Sequence, residues 1–117
     1  MRANDLPLSM DRRKDLVKKL KEKHPQSIPV ILKASNQKTL PEVSKTKFLV
    51  PSEVTLGKLK LEILKFMTLR PKDTVHFSFQ NGLVFPCNTT LISTIYEKHK
   101  SEDGFLYVIY SVENVFG

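Results

Sequence analysis

The chain has 117 residues, 40% of them hydrophobic and 26% charged; this fits one compact domain, so a second independent domain is not expected, and the composition is that of a globular protein rather than a disordered or membrane-spanning one. Cys87 is the single cysteine, so an internal disulfide and a cysteine-built zinc site are both excluded. A formal net charge of +7 favours acidic partners, anionic membranes or nucleic acid without choosing among them.

The opening residues lack the charged-then-apolar layout of a secretion signal, and Arg2 stands where N-myristoylation needs glycine, so a cytoplasmic or nuclear protein is expected. Asn4-Asp5-Leu6-Pro7 is compatible with a short capped turn. Ser9 then serves as N-cap for a helix from Met10 to His24, with Met10, Val17, Leu20 and His24 at helical spacing, Leu16 beside them, and Pro25 as the stop. Its other faces carry Arg12, Arg13, Lys14, Lys18, Lys19, Lys21 and Lys23, either a solvated surface or a partner-binding one. Ile28-Pro29-Val30-Ile31-Leu32 has the branched, continuous apolar character of a strand buried on both sides. A polar connecting loop, Ala34 to Thr46, leads to Lys47-Phe48-Leu49-Val50, a strand that Pro51 closes and whose lysine suits a sheet edge.

Thr55 caps a second long helix in which Leu56, Leu59, Ile63, Phe66 and Met67 face one core, while Lys58, Glu62 and Lys65 keep the far side wet. After the loop Arg70 to Asp73, Val75, Phe77 and Phe79 alternate with His76 and Ser78 as a half-buried strand requires. Asn81-Gly82 predicts a two-residue type I′ hairpin into a short strand, Leu83-Val84-Phe85. Thr90 is the expected cap of a short helix carrying Leu91, Ile92, Ile95, Tyr96 and His99, and Phe105 to Tyr110 reads as a central strand. Cys87 is expected as a reduced, half-buried structural thiol, and His24, His76 and His99 are too scattered for a metal cluster. No metal and no cofactor is expected.

This element order predicts an α+β fold, the ubiquitin-like roll or β-grasp, with an N-terminal helical extension. The expected organisation is extension 1–25, ubiquitin-like core 26–111 and C-terminal tail 112–117. Several segments, taken together and in order, resemble the autophagy-related ubiquitin-like modifiers, the family of the GABA-receptor-associated protein and the microtubule-associated protein light chains. They are His24-Pro25 with Ile28-Pro29-Val30-Ile31, then Lys47 to Ser52, Leu69-Arg70 with Asp73, Phe105 to Val108 with Tyr110-Ser111, and Val115-Phe116-Gly117.

The resemblance implies a modifier, itself no enzyme, with no catalytic residues of its own. Its Gly117 carboxylate would be adenylated by an activating enzyme, passed as a thioester through conjugating enzymes and joined to phosphatidylethanolamine. A deconjugating cysteine protease is a further implied partner, and the autophagosome membrane the implied location of the lipidated form. Glycine suits this chemistry because it has no side chain to obstruct a narrow channel, and Val112 to Phe116 reads as an extended arm.

The resemblance also implies that cargo receptors carrying an aromatic-x-x-aliphatic motif add a strand beside Lys47 to Val50, with backbone bonds supplying affinity and two pockets supplying specificity. Leu16, Leu20, Pro29, Ile31, Lys47, Leu49 and Phe105 would line the aromatic pocket. Phe48, Val50, Pro51, Val54, Leu59 and Ile63 would surround the aliphatic one. Alternation alone puts Phe48 and Val50 on the opposite side of the strand from Lys47 and Leu49. Phe48, an edge-strand aromatic beside a lysine, is the residue expected to be partly exposed, whereas Ile31, Leu49 and Ile63 also suit plain core positions. Arg12, Arg13, Lys14 and Lys47 would pair with acidic or phosphorylated residues flanking the motif. The chain departs from the family at Met10, Leu16, Glu62 and Gly104, which bears on ligand preference.

The rival from another class is a basic nucleic-acid- or microtubule-binding module, with the first helix as its footprint. The glycine-aromatic pattern of RNA-binding sheets is missing from the chain, so no specific nucleic acid is expected. Gly-rich phosphate loops, nucleophile elbows and paired-carboxylate motifs are missing too.

Overall fold

The computed structural model describes residues 8–35 and 43–114. Seven elements follow one another: α1 (Met10–Lys23), β1 (Ser27–Ala34), β2 (Lys47–Pro51), α2 (Leu56–Leu64), β3 (Asp73–Phe79), α3 (Ile92–His99) and β4 (Leu106–Asn114). The strands form one mixed sheet in the order β2-β1-β4-β3. Its two central strands are parallel, and each outer strand runs antiparallel to its neighbour.

The apolar pattern of each strand decides which layer it joins. Ile28, Val30 and Leu32 of β1, Phe48 and Val50 of β2, Phe77 and Phe79 of β3, and Leu106, Val108 and Tyr110 of β4 all point to one face. There they meet Leu56, Leu59 and Ile63 of α2 and Ile92, Ile95 and Tyr96 of α3 in the main core. The continuous apolar run of β1 also supplies Ile31 to the other face, where Ile31, Phe105 and Tyr107 are covered by Val17, Leu16 and Leu20 of α1. The sheet thus lies between α1 on one side and α2 with α3 on the other, a ubiquitin-like α+β roll with an added helix.

Caps explain most helix starts. The Ser9 side chain accepts from the Arg12 N–H and the Thr55 side chain from the Lys58 N–H, as the sequence predicts. α3 differs, because its N-cap is Leu91, without a side-chain bond. There the Thr90 carbonyl instead accepts from the Leu56 N–H, and the Ile92 N–H donates to the Val54 carbonyl, tying the start of α3 to the start of α2. Regular α2 ends at Leu64, short of Phe66 and Met67, yet both still pack on the main core. His24 is the exposed C-cap of α1 rather than part of its inner face.

The predicted two-residue hairpin is corrected to a three-residue loop. The Gly82 N–H donates to the Phe79 carbonyl and the Phe79 N–H to the Leu83 carbonyl, with Gly82 at φ 88°. Leu83 to Phe85 makes only an isolated bridge with β3, Ser78 to Val84, and forms no strand. Phe85 nevertheless stacks on Phe77 and Phe79 at centroid distances of 5.6 and 4.7 Å. β4 is longer than predicted: Val112, Glu113 and Asn114 still pair with Val75, Thr74 and Asp73. The extended arm expected from Val112 is corrected to this extent: residues 112–114 belong to β4, and 115–117 lie outside the described residues. The expected turn at Asn4 to Pro7 lies outside the described residues.

Candidate functional site

β2 is an outer strand, and among the described residues no strand lies beyond it. The direction of its free backbone groups follows from its register on β1. Pro29 faces Leu49 and has no N–H, and the Leu32 N–H donates to the Thr46 carbonyl, so the bonded pairs of this ladder are Ile28 with Val50, Val30 with Phe48, and Leu32 with Thr46. The intervening residues, Lys47 and Leu49, turn their N–H and C=O groups outward. The open edge thus presents the donors and acceptors of two residues to an incoming strand.

Side chains alternate on the same strand. Phe48 is only 8% exposed and Val50 is buried, both facing the main core, whereas Leu49 is 39% exposed on the opposite face. The expectation that Phe48 is the exposed aromatic is overturned, and Leu49 takes that place. The reason is the register: Phe48 sits opposite Val30 on the core face, and its ring meets Phe66 edge-on at 5.7 Å.

On the α2 side of β2 lies a cavity of about 290 Å³, lined by Lys45, Phe48, Leu49, Val50, Pro51, Val54, Lys58, Leu59, Glu62 and Phe66. Five of the six residues assigned to the aliphatic pocket, Phe48, Val50, Pro51, Val54 and Leu59, are brought together there. Ile63 is not among them; it is fully buried in the core. Lys45, Lys58 and Phe66 join the lining without having been assigned. Lys45 holds its ammonium 5.0 Å from the Phe48 ring centre and 5.2 Å from that of Phe66. Glu62 brings a carboxylate to a lining that also carries Lys45 and Lys58, and pairs with Lys65 at 3.1 Å.

On the α1 side, Pro29 lies opposite Leu49 and Ile31 opposite Lys47. Buried Ile31 and Phe105 pack with half-buried Leu16 and Leu20 of α1, Pro29 is buried, and Lys47 and Leu49 are exposed at the strand edge. Of the seven residues assigned to the aromatic pocket, Leu16, Leu20, Ile31 and Phe105 pack together in one cluster, Pro29 and Lys47 share the strand face by register, and Leu49 also lines the cavity on the α2 side.

Helix α1 is held by a buried carboxylate. Asp103, 3% exposed, accepts from the Arg13 Nε at 2.9 Å, the Phe105 N–H at 2.9 Å and the Tyr107 hydroxyl at 2.6 Å. Arg13 also donates through Nη1 to the Leu8 carbonyl at 2.7 Å. Burial first, then the Asp103 bond and charge, push the Tyr107 hydroxyl well above its ordinary range. Arg13 is therefore engaged inside the fold, whereas Arg12 and Lys14 stay exposed. Beside this network Gly104 adopts φ 94°, and a Cβ built there would lie 2.8 Å from Val17 Cγ1; α1 occupies the space that a side chain would need.

Cys87 is exposed rather than half-buried. Its Sγ lies 3.0 Å from the Thr89 hydroxyl, and hydrogen bonding from Thr89 lowers its pKa. Gly117, the residue assigned to conjugation, lies outside the described residues, as do Val115 and Phe116. Among the described residues no helix is long and apolar enough to cross a membrane, and no group of histidine, cysteine and carboxylate side chains is placed to hold a metal ion.

A mixed sheet of this order, with parallel central strands, a crossing α2 and an open β2 edge, defines a ubiquitin-like protein. The family model described as "Autophagy protein Atg8 ubiquitin like" matches residues 11–117. The chain is 41% identical over 114 residues to autophagy-related protein 8 of Dictyostelium discoideum, covering 97% of this chain and 91% of that one. It is 42% identical over 109 residues to autophagy-related protein 8 of Mycosarcoma maydis, covering 93% and 91%. The crystal structure of Trypanosoma brucei ATG8 superposes with a TM-score of 0.82 at 31% identity, covering 100% of this chain and 99% of that one. Plasmodium falciparum Atg8 in complex with an Atg3 peptide from the same organism gives 0.80 at 29% identity, covering 95% and 96%. The chain belongs to the Atg8 family of ubiquitin-like autophagy modifiers, and the nucleic-acid or microtubule alternative is not favoured.

Proposed function

We propose that the carboxylate of Gly117 is joined to the amine of phosphatidylethanolamine, and that the β2 edge then recruits proteins carrying an aromatic-x-x-aliphatic segment. The carboxylate is first adenylated, releasing pyrophosphate. A cysteine thiolate of the activating enzyme displaces AMP to form a thioester, the acyl group passes to a conjugating cysteine, and the lipid amine attacks to form an amide as that thiolate leaves. The chain is substrate in this sequence rather than catalyst, and a cysteine protease reverses the attachment. The autophagosome membrane is where the lipidated form resides.

The observation that carries the recruiting half is the open β2 edge, whose outward Lys47 and Leu49 backbone groups lie between a cavity on one face and α1 on the other. An extended peptide bonded there alternates its side chains between the two faces, which suits anchors at alternate sides of the edge. The complex of Plasmodium falciparum Atg8 with an Atg3 peptide supports an interaction between this chain and the conjugation machinery. Arg12, Lys14 and Lys47 are exposed cations available to acidic flanks of a motif.

The test is Gly117→Ala in a reconstituted conjugation reaction with phosphatidylethanolamine vesicles. Loss of the lipid adduct, read by mass spectrometry with unfolding unchanged, is expected; a normal yield of adduct refutes the assignment of the terminus.

A further inference from the structure

We infer that the cavity on the α2 side of β2 selects segments in which a carboxylate side chain stands two residues from the aliphatic anchor, and that Lys58 is the residue that recognises it. This selectivity rests on the recruiting edge proposed above and names the ligand chemistry that edge prefers. The three charged side chains of the cavity lining are committed differently. Lys45 holds its ammonium over the rings of Phe48 and Phe66. Glu62 gives its carboxylate to Lys65, about one turn further along α2. Lys58 stands one turn before Glu62, is exposed, and makes no ion pair among the described residues.

The start of α2 reinforces that charge. Its first turn carries Lys58 and no acidic residue, so the positive end of the helix dipole and the lysine act in the same sense. The backbone donors there are already engaged: the Lys58 N–H by the Thr55 side-chain oxygen, the Leu56 N–H by the Thr90 carbonyl and the Gly57 N–H by the Asn88 carbonyl. An anion arriving at this end is therefore met by the Lys58 side chain rather than by the backbone.

The connections of α2 fix which end this is. The Val54 N–H donates to the Pro51 carbonyl just before Thr55 caps the helix, and beyond the helix the Ser44 N–H donates to the Phe66 carbonyl. Lys58 thus stands at the Pro51 end of the cavity, and Lys45 at the Phe66 end. On an added strand, side chains two residues apart share a face and stand about 6.5 Å from each other. With the aliphatic anchor in the cavity, the side chain two residues towards the Pro51 end comes to Lys58. The anchor's immediate neighbours point to the α1 face instead. A glutamate or aspartate at the selected position meets an uncommitted cation, whereas a lysine or arginine meets a like charge. That position follows the anchor if the segment runs parallel to β2 and precedes it if antiparallel.

The experiment is calorimetry on the full chain with aromatic-x-x-aliphatic peptides that carry glutamate or glutamine two residues before, or two residues after, the aliphatic anchor. At one of the two positions the wild-type chain is expected to bind the glutamate peptide about threefold more tightly than its glutamine counterpart at low salt. Lys58→Gln is expected to abolish that preference. Lys60→Gln, whose lysine reaches Asn88 instead of the cavity, is expected to keep it. No preference at either position, a preference that survives Lys58→Gln, or one lost equally in Lys60→Gln overturns the inference while leaving the recruiting edge intact. Failure of the wild-type chain to bind any of the four peptides overturns both.

Discussion

Asp103→Ala tests whether one buried carboxylate positions the whole of α1. The substitution removes a shared acceptor, leaving the Tyr107 hydroxyl and the Phe105 N–H without their partner and Arg13 without its counter-charge. Deleting one member of a buried ion pair costs about 3–5 kcal/mol, and each stranded buried donor about 1–3 kcal/mol. These costs overlap, and the Arg13 side chain is 25% exposed, so water takes over part of its solvation. The expected loss is therefore about 3 kcal/mol, at the lower end of that range. Urea unfolding at neutral pH measures it, with native-state amide exchange as the second readout. Amides of α1 are expected to exchange faster than those of β1 and β4, because the lost contacts belong to the interface between helix and sheet. A loss below about 1 kcal/mol, with α1 exchange unchanged, refutes the role given to Asp103.

Leu49→Ala is expected to weaken an aromatic-x-x-aliphatic peptide by about tenfold in calorimetry while leaving conjugation intact, since it removes exposed apolar surface without touching the core. Tyr107→Phe isolates an alkaline effect. The fold holds this hydroxyl protonated, so its contribution is complete below about pH 10 and lost as the pH rises above that, by at most about 1.4 kcal/mol per pH unit; the wild-type chain should lose stability more steeply than the variant in alkaline unfolding. Gly104→Ala combines a left-handed backbone at φ 94° with a contact of 2.8 Å to Val17, and an unfolding loss of about 2 kcal/mol or more is expected.

Much of this architecture is legible in the chain because periodicity reports which face is apolar. The alternation in Val75 to Phe79 and the three- and four-residue steps from Leu56 to Ile63 correspond to β3 and α2, and Ser9 and Thr55 cap helices where their side chains suit that role. The rest depends on contacts that spacing does not encode. Arg13 and Asp103 are 90 positions apart, and the only local hint was an aspartate just before an apolar run. Alternation separates Phe48 from Leu49, but the burial of Phe48 depends on the core face and on Phe66 packing against its ring. Lys45 and Lys58 look like solvated lysines in the sequence, and only tertiary packing brings them to the cavity. The continuation of β4 through Asn114 escaped because Ser111-Val112-Glu113 is polar enough to resemble a tail, while its pairing depends on β3.

The dimensions of β2 decide what kind of binder its open edge makes. Two outward residues, Lys47 and Leu49, give an incoming strand four backbone bonds at most, worth about 0.5–1.5 kcal/mol each after exchange with water, or about 2–6 kcal/mol together. Association itself costs about 4–15 kcal/mol in lost freedom, so backbone pairing alone does not hold a peptide. A strand only from Lys47 to Pro51, ending in proline and flanked by Lys45 and Lys47, also resists unlimited sheet extension by other chains. The surplus must come from anchors, each able to add about 1.5–3 kcal/mol on full burial. If the edge binds a peptide as proposed, the cavity beside Phe66 and the apolar face near α1 are where anchors would be buried, so selectivity would follow from the two side-chain positions and the backbone ladder would set their register.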